Sequence, residues 1–214
     1  MTFNHAESNR APYDVEADTD PDSVFWRVAS VIRAEQDNDG KPAKEYRTEI
    51  RSRWTPDNLY FLFVCPYKQL NLKPNPQTHT ETNELWNWDV AEVFIGSDLH
   101  NIQKYKEFEV SPQGEWVDLD INLNAPHFKG DWKWNSGLKV SARVAPEIHK
   151  WYGFMRIPYA SVDSIPASAG NNIFRINFFL SEGLGPNHKA IAWQPTHQST
   201  FHVPKVFGTL KLVN

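Results

Sequence analysis

Short runs of alternating or wholly apolar residues, punctuated by Gly, Pro, Asn and Asp, recur along this chain, and no segment sustains the period of a long helix. A strand shows successive side chains to opposite faces, so each run can be read for what it buries. Residues 47–54 place Thr48, Ile50, Ser52 and Trp54 on one side and Arg47, Glu49, Arg51 and Arg53 on the other. Residues 58–65 are apolar on both faces and read as a central strand, hairpin-paired with 47–54. In 104–111, Lys106, Phe108 and Val110 oppose Tyr105, Glu107 and Glu109; Pro112, Gln113 and Gly114 then turn the chain into 115–121. Residues 138–144 and 148–157 form another hairpin, and 173–181 and 207–213 supply further strands. Residues 158–162 read as a single helical turn with Pro at its start. About nine strands with little helix indicate an all-β fold, an antiparallel β-sandwich of two sheets.

The 214 residues suit one domain with an ample core, a sandwich over 24–214 behind an extended lead-in over 1–23. Trp26 is the expected first core anchor. The formal charge of −4 provides no basic footprint, which argues against a nucleic-acid partner. No apolar run approaches the roughly 20 residues of a membrane helix, which argues against a membrane partner. The opening residues lack the charged and apolar regions of a secretion signal. Cys65 is the sole cysteine and lies in an apolar run, so it reads as a buried, inert thiol. The 9 Trp, 7 Tyr and 13 Phe leave rings to spare for a binding surface.

Residues 84–96, ELWNWDVAEVFIG, concentrate the candidate chemistry. A strand that begins early puts Trp86, Trp88, Val90, Glu92 and Phe94 on one face. Indole rings can cover the apolar C–H face of a pyranose while a carboxylate accepts its hydroxyl protons. The competing reading packs both rings into the core or rim of the sheet. A carboxylate at Glu92 within an apolar strand needs a partner: a ligand, or Lys106 or Arg175 as a neutralising base. Arg175 and Asn177 lie on the polar face of their strand, where the arginine fork suits vicinal hydroxyls or a cross-sheet carboxylate. The long polar loop over 68–83 precedes this stretch, as binding loops often do.

The spacing W-x-x-D-x-x-E-x-F-I at Trp86, Asp89, Glu92, Phe94 and Ile95 resembles the signature of family 9 carbohydrate-binding modules. The WYGFMRIP run over 151–158, the RINFF run over 175–179 and the ending FHVPKVFGTLKL from Phe201 agree in order. The resemblance implies a β-sandwich that grips terminal sugars between two tryptophans, without catalysis, in a secreted or periplasmic setting. It makes Trp86 one jaw, Glu92 the hydroxyl acceptor and Lys106 the basic partner, with Trp193 and Gln194 as the second jaw and its amide. Trp88, Arg175 and Asn177 complete the candidate carbohydrate-binding set. No cofactor is required, although family members often hold structural calcium.

Asp118 and Asp120 with Asp98 are the calcium candidates, with solvated acids as the alternative. The turn QDNDGKPA over 36–43 lacks the far-end acid of a calcium loop. Two other functions compete. A glycoside hydrolase needs two carboxylates about 5 to 10 Å apart, which Glu92, Glu107 and Glu109 could supply. A haem-binding electron-transfer domain needs axial ligands, for which Met155 is the internal methionine available.

Overall fold

All nine runs read above as strands are strands in the computed structural model, which describes residues 4–125, 133–163, 172–185 and 188–214. They are β4 (Thr48–Trp54), β5 (Asn58–Pro66), β6 (Val90–Gly96), β7 (Lys104–Val110), β8 (Trp116–Asn122), β9 (Lys139–Ala145), β10 (Lys150–Pro158), β11 (Ile173–Glu182) and β13 (Gly208–Val213). Four short strands join them: β1 (His5–Arg10), β2 (Ser30–Ala34), β3 (Gln36–Asp37) and β12 (Lys189–Ala192). The expected helical turn is α1 (Tyr159–Val162). The fold is all-β with little helix. No helix among the described residues is long and apolar enough to cross a membrane.

The strands form one sheet in the order β8-β7-β6-β11-β13-β1-β4-β5-β10-β9, with β2 on β4, and β12 bridging β11 and β3. Its two halves fold over each other as the layers of a sandwich do. Phe61 and Phe63 of β5 reach across to Phe178 of β11, ring centroids 5.5 and 6.1 Å apart. The main core between the halves also takes Val93, Ile95, Phe108, Met155 and Ile176. A smaller core covers the outward face of β6, β7, β8 and β11, built from Phe94, Tyr105, Leu119, Ile121, Phe179 and Phe207. A third joins Trp26 and Phe25 to Tyr60, Leu62 and Phe154 on the other outward face. Trp26 is fully buried, as expected, and burial holds the Cys65 thiol well above its usual pKa.

Residues 1–23 do not all form a lead-in. His5–Arg10 is β1, parallel to both β13 and β4, and it links the halves. It turns the two expected antiparallel sheets into one mixed sheet. The buried Ser8 hydroxyl accepts from Ser52 Oγ at 2.8 Å. Arg53, on the nominally polar side of β4, is only 4 % exposed. Its guanidinium donates to the carbonyls of Asn9, Arg10 and Phe25, replacing its lost hydration and clamping the joint.

Candidate functional site

A cavity of about 870 Å³ opens on the outward face of β6, β7 and β8. Its floor carries Glu92 and Phe94 from β6, Glu107 from β7, and Leu119 and Ile121 from β8. Its walls come from the turn after β3, the segment leading into β6, residues 198–202, and Ser181 of β11 with His188, Lys189 and Ala190 at the start of β12.

The segment leading into β6 decides which tryptophan faces the cavity. Residues 85–87 form a single 3₁₀ turn rather than the start of the strand. Leu85 is fully buried and anchors the turn, and Trp86 beside it is 41 % exposed on the cavity wall. The strand begins only at Val90, so the expected shared face from Trp86 to Phe94 does not form. Trp88 is half-buried and is not part of the cavity lining. Asp89 holds this entry in place: its carboxylate accepts from the backbone N–H of Asn71 at 2.9 Å and of Gly183 at 2.7 Å. Burial raises the Asp89 pKa to about 6, and the two donors only moderate the rise.

The opposite wall is tied down as firmly. The Asn38 side-chain carbonyl accepts from the Thr196 backbone N–H and hydroxyl, and its amide donates to Gln198 O. Gly40 has φ +87, and a Cβ there would meet His197 Cε1 at 2.7 Å, so this turn needs glycine. The Phe201 ring stacks on Phe179 at 4.1 Å and 6°, and His202 lies over Phe94 at 5.3 Å. Tyr105 Oη and His202 Nδ1 share a hydrogen bond of 2.7 Å. Burial depresses the His202 pKa to about 4, so the ring is neutral at physiological pH.

Three carboxylates share this face. Glu92 sits directly opposite Glu109 in the β6–β7 register, and Glu107 precedes Glu109 by the strand period of two. All three are buried, and one oxygen from each lies within 4.8 Å of the other two. Burial raises all three above the ordinary carboxyl range, Glu107 to about 7, and repulsion from neighbouring carboxylates adds to the rise at Glu92 and Glu109. Their oxygens are closer than the roughly 5 to 10 Å a hydrolase pair requires, and they share one wall instead of flanking a bond.

Several sequence expectations meet a different placement. Lys106 has the opposite parity to Glu107 and points to the other face, where its ammonium pairs with Asp120 at 2.7 Å and lies 4.3 Å over the Trp134 ring. It is not the base for Glu92. Neither is Arg175, which sits beside Gly96 at the far end of β11 and donates to Pro204 O. Asn177 is fully buried and clasps the backbone of Gln194, accepting from its N–H at 3.0 Å and donating to its O at 2.8 Å. Gln194 is thereby held, outside the cavity lining. Trp193 is only 7 % exposed, tilted against Phe178 in the main core, and a Cβ on Gly208 would come within 2.6 Å of it. That indole is packing, not a second jaw.

The calcium candidates do not converge. Asp118 is buried and bonded to Ser136, Asp120 pairs with Lys106, and exposed Asp98 accepts from the N–H groups of His100 and Asn101. Met155, the candidate haem ligand, is fully buried in the main core. Sequence reasoning missed Phe201 and His202 as walls; their only signal was a place beside the final strand.

A sequence model described as "Carbohydrate family 9 binding domain-like" matches residues 17–214. An extracellular protein from Arthroderma benhamiae is 25 % identical over 171 residues, covering 73 % of this chain and 70 % of that one. A Bacteroides uniformis protein proposed to bind carbohydrate superposes with a TM-score of 0.77 at 13 % identity, covering 99 % of this chain and 100 % of that one. A family 9 carbohydrate-binding module from Caldicellulosiruptor kristjanssonii, seen with cellotriose, superposes at 0.64 and 13 % identity over 98 % of this chain and 93 % of that one.

Proposed function

The chain belongs to the carbohydrate family 9 binding domain-like family, and from that premise we propose that it binds a saccharide, without catalysis, in the cavity beside Trp86. The observation that carries this reading is the exposed indole on the wall of a cavity with a polar floor. A sugar ring laid on Trp86 would cover apolar surface on both partners, and hydroxyls turned toward the floor would meet carboxylate acceptors. The half-buried ring of Phe201, with His202, provides the facing wall in place of Trp193. The module from C. kristjanssonii seen with cellotriose and glucose makes β-linked glucose oligomers and glucose the first ligands to try. The extracellular relative supports a secreted setting.

The close packing of the three glutamates on one wall supports binding over hydrolysis. Titration with glucose and cello-oligosaccharides, followed by intrinsic fluorescence and calorimetry, tests the reading. Saturable binding that is lost in Trp86→Ala is expected. No heat and no fluorescence change with any mono- or oligosaccharide would overturn it.

A further inference from the structure

Glu92 and Glu107 line the cavity floor, and Glu109 lies behind them with no exposed surface. Neither carboxylate oxygen of Glu109 meets a hydrogen-bond donor, and Glu92 Oε1 and Glu107 Oε2 are equally bare. Among the described residues no lysine or arginine forms an ion pair with any of the three, although Lys189 lines the same cavity; His202 Nε2 lies 3.9 Å from Glu107 Oε2. Isolated buried carboxylates are costly, and three sharing one site are more so. A floor built this way is short of positive charge.

We propose that Glu92, Glu107 and Glu109 bind one divalent cation of the calcium type at the cavity floor, with its remaining coordination positions turned toward the cavity. Hard cations take carboxylate oxygens at about 2.3–2.6 Å. Oxygens within 4.8 Å of one another can therefore all reach one central ion. Charge selects a divalent ion over an ammonium group: three ionised carboxylates with a divalent ion leave a single negative charge, and a monovalent cation leaves two. An irregular set of three donors on two adjacent strands suits calcium, which tolerates varied geometry, better than magnesium. The strands hold the donors in register, so little ordering is needed on binding. Phe94 and the stacked Phe179 and Phe201 pair keep the surroundings apolar, which strengthens the attraction. The open positions would take water or vicinal saccharide hydroxyls; only this last clause rests on the proposed function. The site is separate from Asp98, Asp118 and Asp120, whose carboxylates are already engaged.

The test starts from the full chain stripped with chelator. Calcium chloride titration by calorimetry should show one saturable site per chain, and terbium should give emission sensitised by nearby rings. Calcium should raise Tm at constant pH, because an ion that binds only the folded state stabilises it. Glu109→Gln keeps the shape and removes one charge, so affinity should fall at least tenfold. Glu92→Gln serves the same purpose should Glu109→Gln not fold, and Glu147→Gln, on an exposed turn, should match the parent. Absent calorimetric saturation and absent terbium emission would overturn the site, as would unchanged affinity in both variants. Glucosamine binding to a chain that takes no calcium would assign the charge deficit to an ammonium instead. Calcium binding without any saccharide binding would sustain the site and overturn the proposed function. Saccharide binding that is identical in calcium and in chelator would overturn the open coordination positions.

Discussion

Trp86 and Trp193 look alike in sequence, and the fold gives them opposite work. Trp86→Ala removes an exposed ring, so thermal unfolding should stay within about 0.5 kcal/mol of the parent while saccharide affinity falls at least tenfold, about 1.4 kcal/mol. Trp193→Ala empties part of the main core and should cost about 3–5 kcal/mol of stability in denaturant titration. Asp89→Ala would leave the Asn71 and Gly183 N–H groups without an acceptor, for a loss of about 2–3 kcal/mol. The alternation of β7 was legible, and it already put Lys106 on the face away from Glu107 and Glu109. It did not place Glu92, because the face of β6 depends on where that strand begins, and the turn over 85–87 hides this from a period-two reading.

At the scale of elements, every run with a clear alternating or wholly apolar pattern became a strand, and both expected hairpins formed. The strands that went unread are short or polar. HAESNR in β1 offers only Ala6 and Ser8 to the interior, and KAIA in β12 is four residues long. Their pairing is set by distant partners, which local pattern does not encode. The Arg53 clamp is equally illegible, because nothing in 47–54 separates Arg53 from its exposed neighbours. Arg53→Met should strand the carbonyls of Asn9, Arg10 and Phe25 and cost about 3 kcal/mol, with the fastest rise in amide exchange along β1.

Across the whole molecule the buried acids set a pH dependence. Asp89, Glu107 and Glu182 have pKa values raised by burial to about 6, 7 and 8. A carboxyl whose folded pKa exceeds its unfolded value holds a proton in the native state that the unfolded chain releases. Its stabilisation is complete at acid pH and is lost as pH rises through the folded value. His202, depressed to about 4, acts oppositely, but its contribution is complete by about pH 6.5. Between about pH 6.5 and 8.5 only the acids remain, so Tm in chelator should fall across that range, and less steeply in calcium. The two-layer β architecture followed from the turn rhythm of the chain, whereas the closure of its layers into one sheet did not. That closure carries a temporal cost. His5 pairs with Thr209, 204 residues further along, so β1 can meet β4 early but gains its second neighbour only once β13 has been made. Until then the outer edge of β1 has no partner, and the nascent protein waits with an open seam that only the arrival of β13 can close.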